Sequence, residues 1–223
     1  MITAQLAAIP KREDFLKKVI DSLLPQVDVL RVFLNSYKKV PGWLEILPVE
    51  CKLLDNSTGD AAKFYGIENI EGYFFSCDDD LIYPKNYVQT IIDKIEIYKR
   101  KAIITLHGRT MPDRPVRSYY RDRFETYRCL GTVDYDVRVP VGGTGVMGFH
   151  TSTIKLKYSD FRLPNMADIW VSGYAKRQKV PIVVIAHKAG DLEPLVDRGI
   201  WDEYWENDEL QTKIYNDLYY NSI

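Results

Sequence analysis

Three consecutive carboxylates, Asp78, Asp79 and Asp80, follow directly on the apolar and aromatic run Tyr73-Phe-Phe-Ser-Cys77. That run reads as a buried strand. Three anions buried beside it would be costly without a compensating cation, so the pattern puts them at the strand's exposed carboxyl end, where they can hold a metal ion. In an α/β sheet this edge is also where ligands bind. Alternate residues of an extended chain point the same way, so Asp78 and Asp80 are expected to converge on one ion while Asp79 faces elsewhere. An acidic, solvated turn leading into the helix after Pro84 explains the same residues without a metal.

Other residues with chemical potential are scattered. Asp168 stands near the start of a helical stretch, Asn165 to Lys176, where a carboxylate is either a helix-dipole partner or a base. His187 follows at once on the buried strand Pro181 to Ala186, as a metal ligand or a satisfied structural histidine. Gly142-Gly-Thr-Gly145 permits close backbone approach to a ligand or a tight turn, but matches neither the P-loop nor the dinucleotide fingerprint. Between His107 and Leu130 the periodicity fails while Arg109, Arg114, Arg117, Arg121, Arg123 and Arg128 accumulate among Pro and Tyr. Such a segment is a binding loop or a solvated excursion.

The elements that must position these groups alternate. Ile2 to Ile9 reads as a strand stopped by Pro10, and Phe15, Leu16, Val19, Ile20 and Leu23 recur at helical spacing up to Pro25. Val29 to Leu34 is a second strand, so the first two form a parallel pair. Cys51 to Leu54 is a third, and Asp55 to Asp60 is a turn that caps a short helix, Ala61 to Tyr65, with Gly66 as its stop. After Pro84, Val88, Ile91, Ile92 and Ile95 line a helix, then Ala102 to Leu106 is a buried strand and Val133 to Val139 a half-buried one. Strands alternating with helices imply an open, mostly parallel α/β sheet. From Asp191 the chain is acidic and aromatic, with Trp201, Tyr204, Trp205, Tyr215, Tyr219 and Tyr220, and reads as one or two helices folding back on the domain or as an interaction surface.

Composition narrows the field. A chain of 223 residues, 46% hydrophobic, holds one sizeable core, so one domain with elaborations is expected. A formal net charge of -1 gives no footprint for a polyanion and disfavours nucleic acid as partner. The three cysteines, Cys51, Cys77 and Cys129, lack metal-type pairing and suit a reducing compartment. The opening residues make too short an apolar run for a signal peptide, and no window spans a bilayer. A cytoplasmic protein is the expectation, with room for peripheral contact at the inner face of the plasma membrane.

In their order and spacing, Ile9-Pro-Lys-Arg12 after a strand, Val32-Phe-Leu-Asn35, Gly59-Asp-Ala-Ala-Lys63, the Asp78 to Asp80 triplet, and the module from Met166-Ala-Asp168 to His187 resemble glycosyltransferases of the GT-A fold. The closest likeness is to the family 2-type bacterial enzymes that build capsules and surface polysaccharides, over about the first four-fifths of the chain. The resemblance implies a Rossmann-like nucleotide-sugar-binding domain over residues 1–190, with a nucleotide-binding half (1–106), an acceptor-binding half (107–190) and a helical tail (191–223). It further implies a nucleotide-diphosphate sugar as donor, a UDP-sugar foremost, a divalent metal (Mn2+ or Mg2+), and inverting transfer of a hexosyl group to a hydroxyl of a glycan or lipid-linked glycan.

Residue by residue, Asp78 and Asp80 match the family's Asp-x-Asp, which holds the metal or touches the donor ribose, and Asp78 and Asp79 count among the donor contacts. Arg12, Asn35, Asp60 and Lys63 fall where the family contacts the nucleotide, Asp168 matches the general base, and His187 matches a third metal ligand of some members. The family's Glu-Asp pair reads Ala167-Asp168 here, so the base rests on one carboxylate. The chemistry requires these parts: a cation neutralises the departing diphosphate, and a carboxylate opposite it takes the acceptor's proton. One imidazole among oxygen ligands tilts the metal toward manganese. Two other functions use similar parts: a nucleotide-sugar- or carbohydrate-binding protein without turnover, and a sugar-phosphate nucleotidyltransferase. The second is disfavoured because Ile-Pro-Lys-Arg replaces the glycine-rich triphosphate cradle.

Overall fold

The structure, a computed structural model, describes residues 1–196 and 206–221; the tail residues Trp201, Tyr204 and Trp205 lie outside the described set. Its strands are β1 (Ile2–Ala8), β2 (Val29–Asn35), β3 (Glu50–Leu54), β4 (Tyr73–Cys77), β5 (Leu81–Ile82), β6 (Ile103–Thr105), β7 (Gly108–Thr110), β8 (Glu125–Tyr127), β9 (Val137–Val139), β10 (Val141–Gly142), β11 (Val146–His150), β12 (Ile182–Val184) and β13 (Glu193–Pro194). The helices are α1 (Glu13–Leu23), α2 (Gly42–Glu45), α3 (Tyr87–Ile97), α4 (Ala167–Arg177) and α5 (Glu209–Tyr219). Among the described residues no helix is long and apolar enough to cross a membrane. All three cysteines are free.

The main sheet has the order β3-β2-β1-β4-β11-β6-β12-β9. Strands β3, β2, β1 and β4 are parallel neighbours, as are β6 and β12. Strand β11 runs against both β4 and β6, and β9 runs against β12 at the edge. The sequence of Val146–His150 carries no strand expectation, because Gly148 interrupts it, yet it is the strand that joins the two parallel blocks. A Cβ at Gly148 would come within 2.7 Å of Ile91 Cγ2 and 2.9 Å of the Phe75 ring, so the glycine lets helix and sheet close on each other.

Helices and loops cover both faces, and the strands sort their side chains with period two. Phe75, Ile104 and Val183 face the layer that holds Leu16, Ile20, Val88 and Ile91 of α1 and α3. Their sequence neighbours Phe74, Ile103, Ile182 and Val184 face the layer built by Phe64, Trp170, Val171 and Leu218. Each large apolar side chain so buried contributes about 1.5–3 kcal/mol.

Three other expectations change in detail. The short helix expected at Ala61 to Tyr65 is a tighter 3-10 turn, Gly59–Phe64, stopped by Gly66 in the left-handed region (φ 68°). Of the strand expected over Val133 to Val139 only Val137–Val139 forms, with Val133 in a lone bridge to His187. The stretch from His107 to Leu130 supplies two strands of a small sheet of order β10-β7-β8, and of its arginines Arg109 alone lies on a strand.

Candidate functional site

The parallel strands deliver their carboxyl ends to one rim: Arg12 just past β1, Asn35 at the end of β2, Asp78 after β4 and His107 after β6. Because β11 runs the other way, its amino end brings Thr144 and Gly145 to the same rim. The rim opens into a cleft of about 850 Å³ whose lining includes Arg12, Asn35, Asp60, Lys63, all three aspartates of the triplet, His107 and Asp168.

The triplet is a turn rather than a continuation of β4, so the expected alternation does not hold. Asp79 and Asp80 both meet Arg12 Nη1, at 2.7 and 2.9 Å, while Asp78 Oδ1 accepts from Lys63 Nζ at 2.6 Å. Asp79 is buried and fastens Arg12, whereas Asp78 keeps a largely open side chain. Burial, and after it the charge of Asp78, pushes Asp80 up to about 7. Burial alone would lower Lys63, but Asp78 and Asp60 outweigh it and hold the ammonium above its ordinary range.

At the end of the cleft beside β2, Asn35 Nδ2 donates to the Gly59 carbonyl at 2.9 Å and its Oδ1 has no partner. Asp60 Oδ2 accepts from the Ala167 N–H at 3.2 Å, at the start of α4, while its Oδ1 is buried without a partner. Burial pushes Asp60 up to about 6 against the pull of Lys63. Two orphaned acceptors in a cleft suit a ligand that brings N–H or O–H donors.

Asp168 sits in the first turn of α4. Its Oδ1 accepts from both Thr144 N–H and Thr144 Oγ1, each at 2.7 Å, which fixes the carboxylate through one oxygen and leaves Oδ2 outside those bonds.

His187 does not join the triplet. Its Nδ1 lies 2.7 Å from the Ile185 carbonyl and its Nε2 3.1 Å from the Arg128 carbonyl, so both ring nitrogens face backbone oxygens. The imidazole argument for manganese over magnesium thereby loses its basis. Trp170 is core: buried, with Nε1 donating to the Leu163 carbonyl.

Among the described residues no three His, Cys, Asp or Glu side chains converge on a metal. Asp78 and Asp80 do fit a hard divalent cation held jointly with substrate, because magnesium is characteristically bound by one or two carboxylates plus phosphate oxygens. Asp80, raised first by burial and then by the charge of Asp78, marks a place where a further positive charge would be favourable.

Several lining residues had no sequence assignment: His107, Cys129 and Thr144. His107 follows β6 as His187 follows β12, so its position at a strand's carboxyl end was a readable signal. Thr144 lies within the Gly142–Gly145 stretch that reads as a close backbone approach or a tight turn, but its hold on Asp168 was hidden because the strand it precedes was not legible. Burial, reinforced by Arg109, lowers His107 to about 4, so at neutral pH it is an uncharged imidazole.

No protein-family model matches the sequence, and no curated protein sequence matches it. Among solved structures the chain is similar to S. aureus TarS, at 13% identity and a TM-score of 0.51, over 97% of this chain and 42% of that one. It is also similar to TarS 1-349 in complex with UDP-GlcNAc, at 13% identity and a TM-score of 0.49, over 98% of this chain and 70% of that one. The chain thus spans less than half of the longer TarS chain. What the likeness shows is the fold, a mixed α/β architecture of GT-A type.

Proposed function

We propose that the chain is a glycosyltransferase that moves a hexosyl group from a nucleotide-diphosphate sugar, a UDP-sugar foremost, to a hydroxyl of a glycan or lipid-linked glycan. The observation that carries this reading is that the Asp78–Asp80 turn and Asp168 line one cleft, with the orphaned acceptors of Asn35 and Asp60 at its nucleotide end. The GT-A architecture agrees with it, and the TarS counterpart was crystallised with UDP-GlcNAc.

In this mechanism Asn35 and Asp60 receive donors of the nucleotide. Asp78 and Asp80 would hold a divalent cation together with the two phosphates; when bound, that ion neutralises the charge developing on the leaving diphosphate. Lys63 stands behind Asp78 as fixed positive charge, and Arg12 clamps the far side of the turn. Asp168 Oδ2 takes the proton of the acceptor hydroxyl as that oxygen attacks the anomeric carbon from the face opposite the diphosphate. One displacement of this kind inverts the anomeric configuration.

The test is release of nucleotide diphosphate from a panel of UDP-, GDP- and dTDP-sugars, with and without Mg2+ or Mn2+, on the wild type and Asp80→Ala. The expected result is cation-stimulated release from one donor class that Asp80→Ala abolishes. Release that persists unchanged in Asp80→Ala would remove the triplet from the reaction.

A further inference from the structure

Three polar atoms on one wall of the cleft are buried without hydrogen-bond partners: Arg109 Nε, Tyr119 Oη and Thr126 Oγ1. They form a group. Arg109 and Thr126 are opposite each other across β7 and β8, and the Arg109 guanidinium carbon lies 4.8 Å from the Tyr119 ring centre and 5.5 Å from that of Tyr120. Only 9% of Arg109 is exposed, and among the described residues it forms no ion pair. Native proteins rarely leave a buried donor and two hydroxyls unsatisfied at one spot unless a ligand completes them.

The two rings displace water from the guanidinium, which strengthens any hydrogen bond it makes to an anion. Arginine offers only donors, and its planar set of N–H groups matches the two oxygens of a carboxylate or phosphate. The loop bearing Tyr119 and Tyr120 is held rigidly. Val116 exchanges two hydrogen bonds with Asn216, the Tyr119 N–H donates to Thr212 Oγ1, and the Tyr120 N–H donates to Asp208 Oδ2. The group is therefore built into the fold by α5 and the residue before it.

This place differs from the diphosphate end. Arg12, just past β1, and Lys63, in the 3-10 turn after β3, serve the aspartate triplet that follows β4. Arg109 stands on β7, beside β10, and β10 leads through Gly143 to the Thr144 that holds Asp168.

We infer that Arg109, Tyr119 and Thr126 form a subsite for an anionic group, a carboxylate or phosphate, carried by the transferred sugar or by the acceptor and distinct from the donor's diphosphate. The inference rests on the glycosyl-transfer reading and names the class of substrate for it.

The experiment measures equilibrium binding to the full chain. UDP alone probes the triplet end. UDP-glucuronate against UDP-glucose tests the donor as source of the anion, and p-nitrophenyl glucuronide against p-nitrophenyl glucoside, with UDP present, tests the acceptor. The expected result is that the acidic member of one pair binds wild type about tenfold more tightly, the worth of a charged hydrogen bond. Arg109→Gln should erase that preference, and Tyr119→Phe, which removes only a hydroxyl, should reduce it about threefold, both with UDP affinity retained. Equal binding within both pairs overturns the inference, and so does an Arg109→Gln that weakens UDP as much as the acidic ligand. Failure of UDP to bind overturns the nucleotide-sugar reading instead, while the glycoside pair, repeated without UDP, still reads the subsite.

Discussion

Lys63 Nζ lies 2.6 Å from Asp78 Oδ1, and this buried ammonium is the fixed countercharge to a cleft that also gathers Asp60 and Asp168. Lys63→Met keeps the length of the side chain but leaves those carboxylates facing one another. A fully buried broken pair costs about 3–5 kcal/mol, and the open side chain of Asp78 lets solvent screen part of that. The expected loss is about 2 kcal/mol in urea unfolding, and added Mg2+ should restore part of it by supplying charge at the same carboxylates.

Asp168 is held by two donors from one residue, and asparagine can accept the same two bonds through its Oδ1. Asp168→Asn should therefore fold normally and bind UDP with unchanged affinity, while transfer falls about 10³-fold, the usual worth of a positioned base. Thr144→Ala keeps the backbone bond and loses the hydroxyl, so the carboxylate swings more freely. A fall in kcat of about tenfold with KM little changed is expected in single-turnover and steady-state assays.

Much of this arrangement was legible because it follows from periodicity. Phe15, Leu16, Val19, Ile20 and Leu23 announce α1, the runs at Ile2, Val29 and Tyr73 announce parallel strands, and parallel strands put Arg12, Asn35 and Asp78 on one rim. The rest depended on tertiary contacts. Gly148 conceals β11 because only the packing of Ile91 and Phe75 calls for a glycine there. With β11 unseen, its reversed direction could not be read, and Gly142-Gly-Thr-Gly145 stayed open between a ligand approach and a tight turn until the strand brought Thr144 and Gly145 to the cleft. His187 has the right position for a ligand, but local carbonyls of Ile185 and Arg128 claim its ring, and no spacing rule reports that.

Asp60 gives the cleft a pH signature. Its carboxyl is raised to about 6 by burial, whereas an unfolded aspartate titrates near 3.9. The folded state then binds more protons than the unfolded state between these values, so stability declines as pH rises from about 4 to about 6 and is level above that. Asp60→Asn removes the titration, and the difference in unfolding free energy between variant and wild type should move in the variant's favour by about 1–2 kcal/mol across that window. A difference that stays constant from pH 4 to pH 7 would show that Asp60 ionises normally.

The arginine-bearing loop is tied to the C-terminal helix through Asn216, whose side chain donates to the Val116 carbonyl and accepts from the Val116 N–H, each at 2.9 Å. Asn216→Ala removes both bonds, on the order of 2 kcal/mol of local anchoring, with little effect on the main sheet. Trypsin under native conditions should then cut at Arg117 or Arg121 at least tenfold faster than in wild type, while the urea midpoint moves only slightly.

Gly145 offers the sharpest separation of site from scaffold. A Cβ added there runs directly into the Asp78 carboxylate, and the backbone cannot retreat, because the Gly145 carbonyl accepts from the Asp78 N–H at 3.2 Å and from Tyr83 Oη at 2.6 Å. The side chain of Asp78 must therefore turn away, abandoning Lys63, while the pairing of β11 with β4 and β6 survives. Gly145→Ala should cost about 1–2 kcal/mol of stability yet weaken UDP-sugar binding more than tenfold and remove its stimulation by Mg2+, matching Asp78→Ala. Gly42→Ala, where an added Cβ meets nothing within 4 Å, is the matched control and should leave both quantities unchanged. If Gly145→Ala binds UDP-sugar as wild type does, Asp78 does not serve the donor, and the triplet's part in transfer falls to Asp80 alone.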